Sequence, residues 1–472
     1  MLQGTTIMKK ILVATLVSSM WVSGNAATFQ ALSDSELAAV DGQALLNFSK
    51  DNYTYTNANS EKVEFFKLGL GAELELNTNI KSLQLGCGGD KGAGKCDIDI
   101  SNLSISGLPS SYDANGVPVY DADGRASTSA KITNPFIEFA IKNGGKASTR
   151  EVVGFRLGAA EILGMLTAGT ENTANPTDGI QSFSGYMKMA ATQGDVNTKQ
   201  STFGDSKTEE IKGNLTASIL GLKFPRQFQS DSTAADNKGV TVPSINVKFN
   251  MPETVVSGSR LTEAKVPGIT ASIASIPLAA NSSMTQAQKD LFKNDQLLVT
   301  FDPILGLAKK AIFKMGEGSD IQNLNMEITF NQALSMVHNI PLTGTGGYLS
   351  LQSETLKWAG TEVQDTAQKG WWMSFKDPIQ LGYLQAQEQV DISAVLPQVA
   401  NLVSDFLLDE KNRITTGTGE SLGTLFNTPV VKLLNIDLGN YTQAKPATIA
   451  LASQVLQNQK VVSNCFGGLK FC

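Results

Sequence analysis

The chain has 472 residues, with 38 Lys and Arg against 44 Asp and Glu, one His and four Cys, and a formal charge of −6. A mildly acidic chain with no basic run offers no electrostatic footprint for nucleic acid, and one histidine excludes a multi-histidine metal centre. Charged residues make up only 17%, below the ~25% of an average soluble domain, a profile that suits an exported, strand-rich protein better than a cytosolic enzyme.

Residues 1–26 read as a Sec-type export signal. Lys9 and Lys10 precede an apolar stretch from Ile11 to Val22, too short for a mature membrane span, and Gly24 and Ala26 supply small residues for cleavage after Ala26. Met8 is the more conventional start, because it puts both lysines at the N-terminus. No cysteine lies near the cleavage site, so a lipoprotein anchor is not expected, and no other run reaches ~18 apolar residues. Removing 26 of the 472 residues leaves 446, and loss of the two lysines takes the charge from −6 to −8. That length buries a sizeable core and suggests more than one structural unit.

LSDSELAAVDGQ (residues 32–43) reads as a short capped helix. Ser33 is the N-cap, Glu36 completes a capping box, Leu32 and Leu37 take the staple positions, and Gly42 ends the turn. The pattern is similar to leaders removed at a double glycine, but Gln43 follows Gly42, so the helix is expected to be retained and docked on the body.

The cysteines fall as two close pairs, Cys87 with Cys96 and Cys465 with Cys472. Of the three connectivities, pairing of sequence neighbours is the simplest in an oxidising compartment. If Cys87 faces Cys96 across an antiparallel hairpin, the same register sets Leu85 opposite Ile98, Leu83 opposite Ile100, and Ile80 opposite Leu103. Both arms then lose phase at the same point, which predicts a paired irregularity or a face change there.

From Phe65 to about Ser282 the pattern is short alternating or apolar runs divided by Gly, Asn, Asp and Pro, among them AELELNTNI, CDIDISNLSI, NPFIEFAIK, NLTASILGLKF and SINVKFNM. These are read as strands, antiparallel because no regular helix alternates with them. The segments 167–179 and 229–239 are polar loops expected to be exposed, and a short helix is expected near 285–292. MEITF, GGYLSLQ and WWMSF add strands. The clearest helix follows, with Val395, Leu396, Val399, Leu402, Val403, Phe406 and Leu407 at helical spacing, Ser393 as cap and Pro397 in the first turn. Its stripe is expected to pack on the sheet, with a membrane-surface or partner-docking face as the alternative.

Motifs that carry chemistry are few. GDKGAGKC (residues 89–96) nearly matches a phosphate loop, but it ends in Cys between strands and reads as a hairpin tip. Phe203-Gly204-Asp205-Ser206 is similar to an esterase nucleophile block, yet the only histidine, His338, lies mid-chain without the required acid before it. His338 itself reads as a satisfied, partly buried residue. Asp113, Asn115, Asp121 and Asp123 stand in two Asp-x-Asn/Asp-Gly blocks that offer oxygens for calcium, with two plain hairpin turns as the simpler reading. Trp371 and Trp372 would put one indole on each face of a strand, for core packing or, with one exposed, a sugar or protein contact.

Five further blocks carry a family likeness. They are LSDSELAAVDGQALLN, NPFIEFAIKN (134–143), REVVGFRLGA (150–159), TGTGGYLSLQ (343–352) and GWWMSFKDP (370–378), set behind an export signal. Together they give a chain that resembles the pilus-assembly proteins of the Fil type, the FilA-like ones, of Gram-negative bacteria. The resemblance implies an exported, surface-associated protein of a fimbrial system and supplies no functional residues to carry over.

The expected architecture is mainly β, an antiparallel strand-rich body with a short N-terminal capped helix and one late amphipathic helix. Residues 1–26 are the signal, 27–47 a helical segment, 48–282 a β-rich region with the Cys87–Cys96 hairpin, and 283–472 a second β-rich region. The second region holds the helix at about 393–409 and a Cys465–Cys472 loop. The expected role is non-enzymatic, in assembly or adhesion of a surface fibre, in the periplasm, outer membrane or cell surface. Its partners would be other fimbrial or outer-membrane assembly proteins, with no nucleic acid, and membrane-surface association stays open. Calcium is the one cofactor candidate. The alternatives are an outer-membrane β-barrel, for which Tyr and Trp are scarce, and a periplasmic carrier with an apolar groove for lipid.

Overall fold

The computed structural model describes residues 46–88, 92, 94–306, 308–442 and 446–465. The export signal, the LSDSELAAVDGQ helix and Cys472 lie outside the described residues. The described residues from Leu46 onward form one compact unit. The expected division near residue 282 is not a boundary between bodies, because strand Glu263–Pro277 pairs along its length with Asp320–Ala333. Hydrogen bonds and apolar contacts therefore cross that point continuously.

The architecture is mainly β, as the alternating runs imply. An 11-stranded, a 7-stranded and a 6-stranded sheet, with two small ribbons, supply most of the described residues. Asn246–Met251 shows the cause plainly: Val247, Phe249 and Met251 point inward while Asn246, Lys248 and Asn250 face water. In Glu263–Pro277 the inward set shifts from Ala264 and Val266 to Ile269, Ala271 and Ile273 across a bulge. Gly268 sits in that bulge with φ +74°, a conformation that favours glycine. All three large sheets contribute to one apolar cluster that includes Ile98, Phe183, Phe228, Phe249, Ile321 and Phe330.

Six strands of the largest sheet lie side by side in chain order, although other strands intervene in the sequence. They are β1 (Leu46–Thr56), β2 (Lys62–Leu70), β3 (Ala130–Lys142), β4 (Glu151–Ala168), β5 (Asn339–Gln352) and β6 (Gly370–Phe375). The sheet continues through Gly179–Met189 to Ile98–Ser106, which also pairs with the far end of β4, so it curls back on itself.

Strand pairing is antiparallel until the chain passes residue 370. Every parallel pairing among the described residues has one partner between residues 370 and 452, and those partners come in chain order. Gly185 pairs with Met373, Gly194 with Leu384, Leu215 with Ile414, Phe313 with Val430, Asp320 with Asn435, and Met326 with Ala447. The C-terminal segment thus retraces the path of residues 185–331 and covers one open edge after another. Unpaired edge groups are a standing liability of sheets, and this strap satisfies them.

The late helix spans Leu396–Leu408, with Pro397 in its first turn. Ser393 is not its cap: the Ser393 N–H donates to Asp391 Oδ1, and Val395 takes the N-cap position without a side-chain bond. Leu396, Val399, Leu402, Val403 and Leu407 are buried, and Phe406 packs edge-on against Tyr441 at 5.8 Å. Ser404 Oγ accepts from the Lys212 N–H and ties the helix to strand Lys212–Ile219. The stripe is core, which leaves no apolar face for a membrane or partner. The short helix is Gln286–Asp290, closed by a capping box between Thr285 and Gln288.

The two polar loops are exposed or half-buried over most of their length, and each holds a buried polar anchor. Asp178 is buried and accepts from Thr170 and Asn102, while buried Asn237 donates to the Gly204 and Asp231 carbonyls. Each loop folds over one polar anchor whose hydrogen bonds replace those lost to water.

Candidate interaction surface

Cys87 and Cys96 form a disulfide with Cα atoms 3.8 Å apart. The hairpin register is the expected one, with Leu85 opposite Ile98, Leu83 opposite Ile100 and Ile80 opposite Leu103. The phase change falls at Asn102, which has φ +53° and lets Leu103 join Ile98 and Ile100 in the core. Beyond the hairpin, Asp97 is buried and accepts from Arg260 Nε at 3.0 Å and from the Trp371 N–H at 3.0 Å. Cys465 is also disulfide-bonded. Its expected partner Cys472 lies outside the described residues.

Asp113 and Asp121 each help to close a turn. Asp113 Oδ1 accepts from the Asn115 and Val117 N–H groups, and the Asp121 carbonyl accepts from Gly124. Among the described residues no three His, Cys, Asp or Glu side chains converge in a way that would hold a metal ion. Ser206 Oγ lies 3.2 Å from Thr208 Oγ1, on an exposed turn. His338 is fully buried, its Nδ1 is 2.7 Å from the Ala168 carbonyl, and its Nε2 has no partner among the described residues. Burial holds the imidazole below its usual pKa, and the Ala168 hydrogen bond opposes that only partly.

Trp371 and Trp372 take opposite faces, with Trp372 buried and Trp371 partly buried. Trp372 donates from Nε1 to Asp365 Oδ1 at 2.9 Å, and Trp371 packs on the main apolar cluster. The Trp372 side belongs to a second, smaller cluster in which Leu356, Trp358, Ala359 and Ala367, from the segment between β5 and β6, cover Phe65, Val63 and Ala140.

Under that cover the sheet buries an ion pair. Arg156 Nε donates to Glu138 Oε2 at 2.7 Å, and Arg156 Nη2 donates to the Ala359 carbonyl. The guanidinium lies 4.7 Å from the Tyr348 ring, 4.9 Å from Trp358 and 5.5 Å from Phe136. Burial raises the Glu138 carboxyl above its usual range against the pull of Arg156.

The opposite face of the same strands is apolar and exposed. One cross-strand row runs Phe48, Leu68, Ile137, Leu157, and the next runs Phe66, Phe139, Phe155, Leu351. Ring centroids of Phe48 and Phe66 are 6.3 Å apart, and those of Phe139 and Phe155 5.6 Å apart. At Leu349, next to Leu157, the first row meets the main core and the open face ends. On the far side β1 pairs, among the described residues, with β2 alone, so it is an edge of the sheet as described.

The sequence carries a signal of this surface in two strands. In NPFIEFAIK and GFRLGA apolar residues occupy both parities, and the charged residue in the middle of each run, Glu138 and Arg156, sits on the buried side. A run apolar at both parities needs two covers, and among the described residues only one is present.

Two apolar cavities inside the body measure about 40 and 30 Å³, the first between Val196, Ile273, Leu324 and Leu396, the second between Met187, Met251 and Phe330. An open cleft of about 310 Å³ lies among Lys289, Lys293, Lys314 and Asp295, where both Asp295 oxygens are bonded to Thr241. No protein-family model matches the chain, and no curated protein or solved structure does.

Proposed function

We propose that the protein is an exported, non-enzymatic component of a surface-fibre system, acting in assembly or adhesion through the open face of β1 to β5. The observation that carries this reading is that face, two adjacent apolar rows across a rigid sheet, which is the chemistry of a protein-contact surface. The disulfide fits an oxidising compartment, and the export signal and the fimbrial resemblance agree with it.

A lipid carrier draws no support from cavities of about 40 and 30 Å³, which hold a methyl group or a water rather than an acyl chain. A membrane barrel fits poorly with three sheets around one apolar core. The test is crosslinking and affinity capture from separated periplasm and outer membrane of the native cells. Capture of fibre or outer-membrane assembly proteins supports the proposal. Recovery with neither, in cells that make fibres, overturns it.

A further inference from the structure

We infer that the open face of β1 to β5 is the contact between two copies of this chain, packed sheet on sheet. The inference rests on reading that face as a protein-contact surface. Phe48, Leu68, Ile137, Phe139, Leu157 and Leu351 are between 36% and 70% exposed. With ~200 Å² for a large apolar side chain, those six alone show about 500 Å² of contiguous apolar surface. The largest apolar patch on a typical monomer is about 300–600 Å² and is often functional, and one side of a stable interface is about 800 Å². The six residues therefore supply more than half of one side of a dimer contact.

Charge selects the occupant. Within the rows the charged groups are paired, Lys50 with Glu64 at 2.7 Å, and at the margin Lys131 pairs with Glu73 at 2.9 Å. The face thus offers no net charge to a basic or acidic partner and no cationic collar for anionic lipid. A neutral apolar face meets its own copy without like-charge repulsion, and two such sheets pack about 10 Å apart with their rows interleaved. A two-fold contact of this kind is closed, so it gives a dimer and leaves the rest of the surface for other partners.

The test uses the exported chain from Ala27, disulfides intact, in sedimentation velocity at micromolar concentration. The wild type is expected to run as a dimer. Ile137→Asp and Leu157→Asp are each expected to raise the dimer dissociation constant by at least about tenfold with an unchanged circular dichroism spectrum. Ile137→Lys mixed with Ile137→Asp is expected to recover mixed dimers. Hydrogen exchange on the wild type needs no variant, and backbone amides of β1 and β2 should gain protection as concentration rises. A monomeric wild type overturns the inference, as does a dimer that survives both aspartates. Binding of the wild type to phosphatidylethanolamine–phosphatidylglycerol vesicles, lost in Ile137→Asp, overturns it in favour of a lipid surface. A monomer that still captures fibre components overturns the dimer while the proposed function stands.

Discussion

Glu138 and Arg156 are direct cross-strand partners whose charges are buried while the apolar neighbours on either side point outward. The sheet is inside-out at this pair. Its geometry combines a charge-assisted hydrogen bond with three aromatic rings around the guanidinium, so removal of one partner strands the other in an apolar box. Arg156→Leu is expected to destabilise the protein by about 3–5 kcal/mol in denaturant titration, and the double variant with Glu138→Leu by less than that. In Arg156→Leu the Glu138 carboxyl, already raised by burial, loses its counter-charge. A raised folded pKa gives stability that is complete below the unfolded value of ~4.3 and is lost as pH rises through the folded value. The variant should therefore regain stability relative to wild type on acidification. Equal loss at every pH would contradict this.

The Cys87–Cys96 link closes a short loop whose base is held by Asp97. Replacing both cysteines by Ser should destabilise by about 2–3 kcal/mol, read as a lower unfolding midpoint with an unchanged slope. Gly86→Ala tests the same base without touching the disulfide. Gly86 has φ +65°, and a Cβ there would stand 2.3 Å from Asp97 Oδ2, so the variant should displace the Asp97–Arg260 pair and lower stability by at least ~1 kcal/mol. A wild-type midpoint in Gly86→Ala would refute that geometry.

His338 is the single histidine of the chain, so its ring protons give one unambiguous NMR signal. Burial lowers its pKa in the folded state, and a lowered histidine favours folding fully above the unfolded value of ~6.5. That contribution falls away as pH drops below ~6.5, because the unfolded chain takes up the proton first. The expected result is a titration midpoint below the unfolded value of ~6.5, with stability declining from about pH 6.5 downward. A titration midpoint at or above ~6.5 would show that the ring is not held as described.

The sequence was legible where local pattern and topology agree. The hairpin register followed from placing two cysteines opposite each other, because a period-two pattern lets one pair set all the others. Helix Leu396–Leu408 was legible from its stripe, but not its cap, since Asp391 competes for Ser393. The open face was not legible, because Phe139 and Phe155 look like core in any single strand, and only the arrangement of the covers shows which side is left bare. The parallel strap was hidden for a different reason. Its partners lie more than a hundred residues apart, as Met326 and Ala447 do, and no local signal encodes such a pairing.

That strap yields the last prediction. The segment from Leu384 to Ala452 supplies the outer partner for strands in the 7-stranded and 6-stranded sheets, and its helix buries Leu396, Val399 and Val403 in the shared core. Asn464, further on, donates to Asn77 and Asn79 and returns the chain to the disulfide hairpin. Removing this segment exposes several strand edges and the apolar floor of the helix at once, so the loss is not confined to one foldon. A chain ending at Tyr383 is expected to aggregate or to lack a cooperative thermal transition. Leu451→Ala, in the strand paired to Asp320–Ala333, is expected to keep the fold and lose about 2–4 kcal/mol. A truncated chain that melts cooperatively as a monomer would mean that the strap is an addition to the fold and not part of its closure.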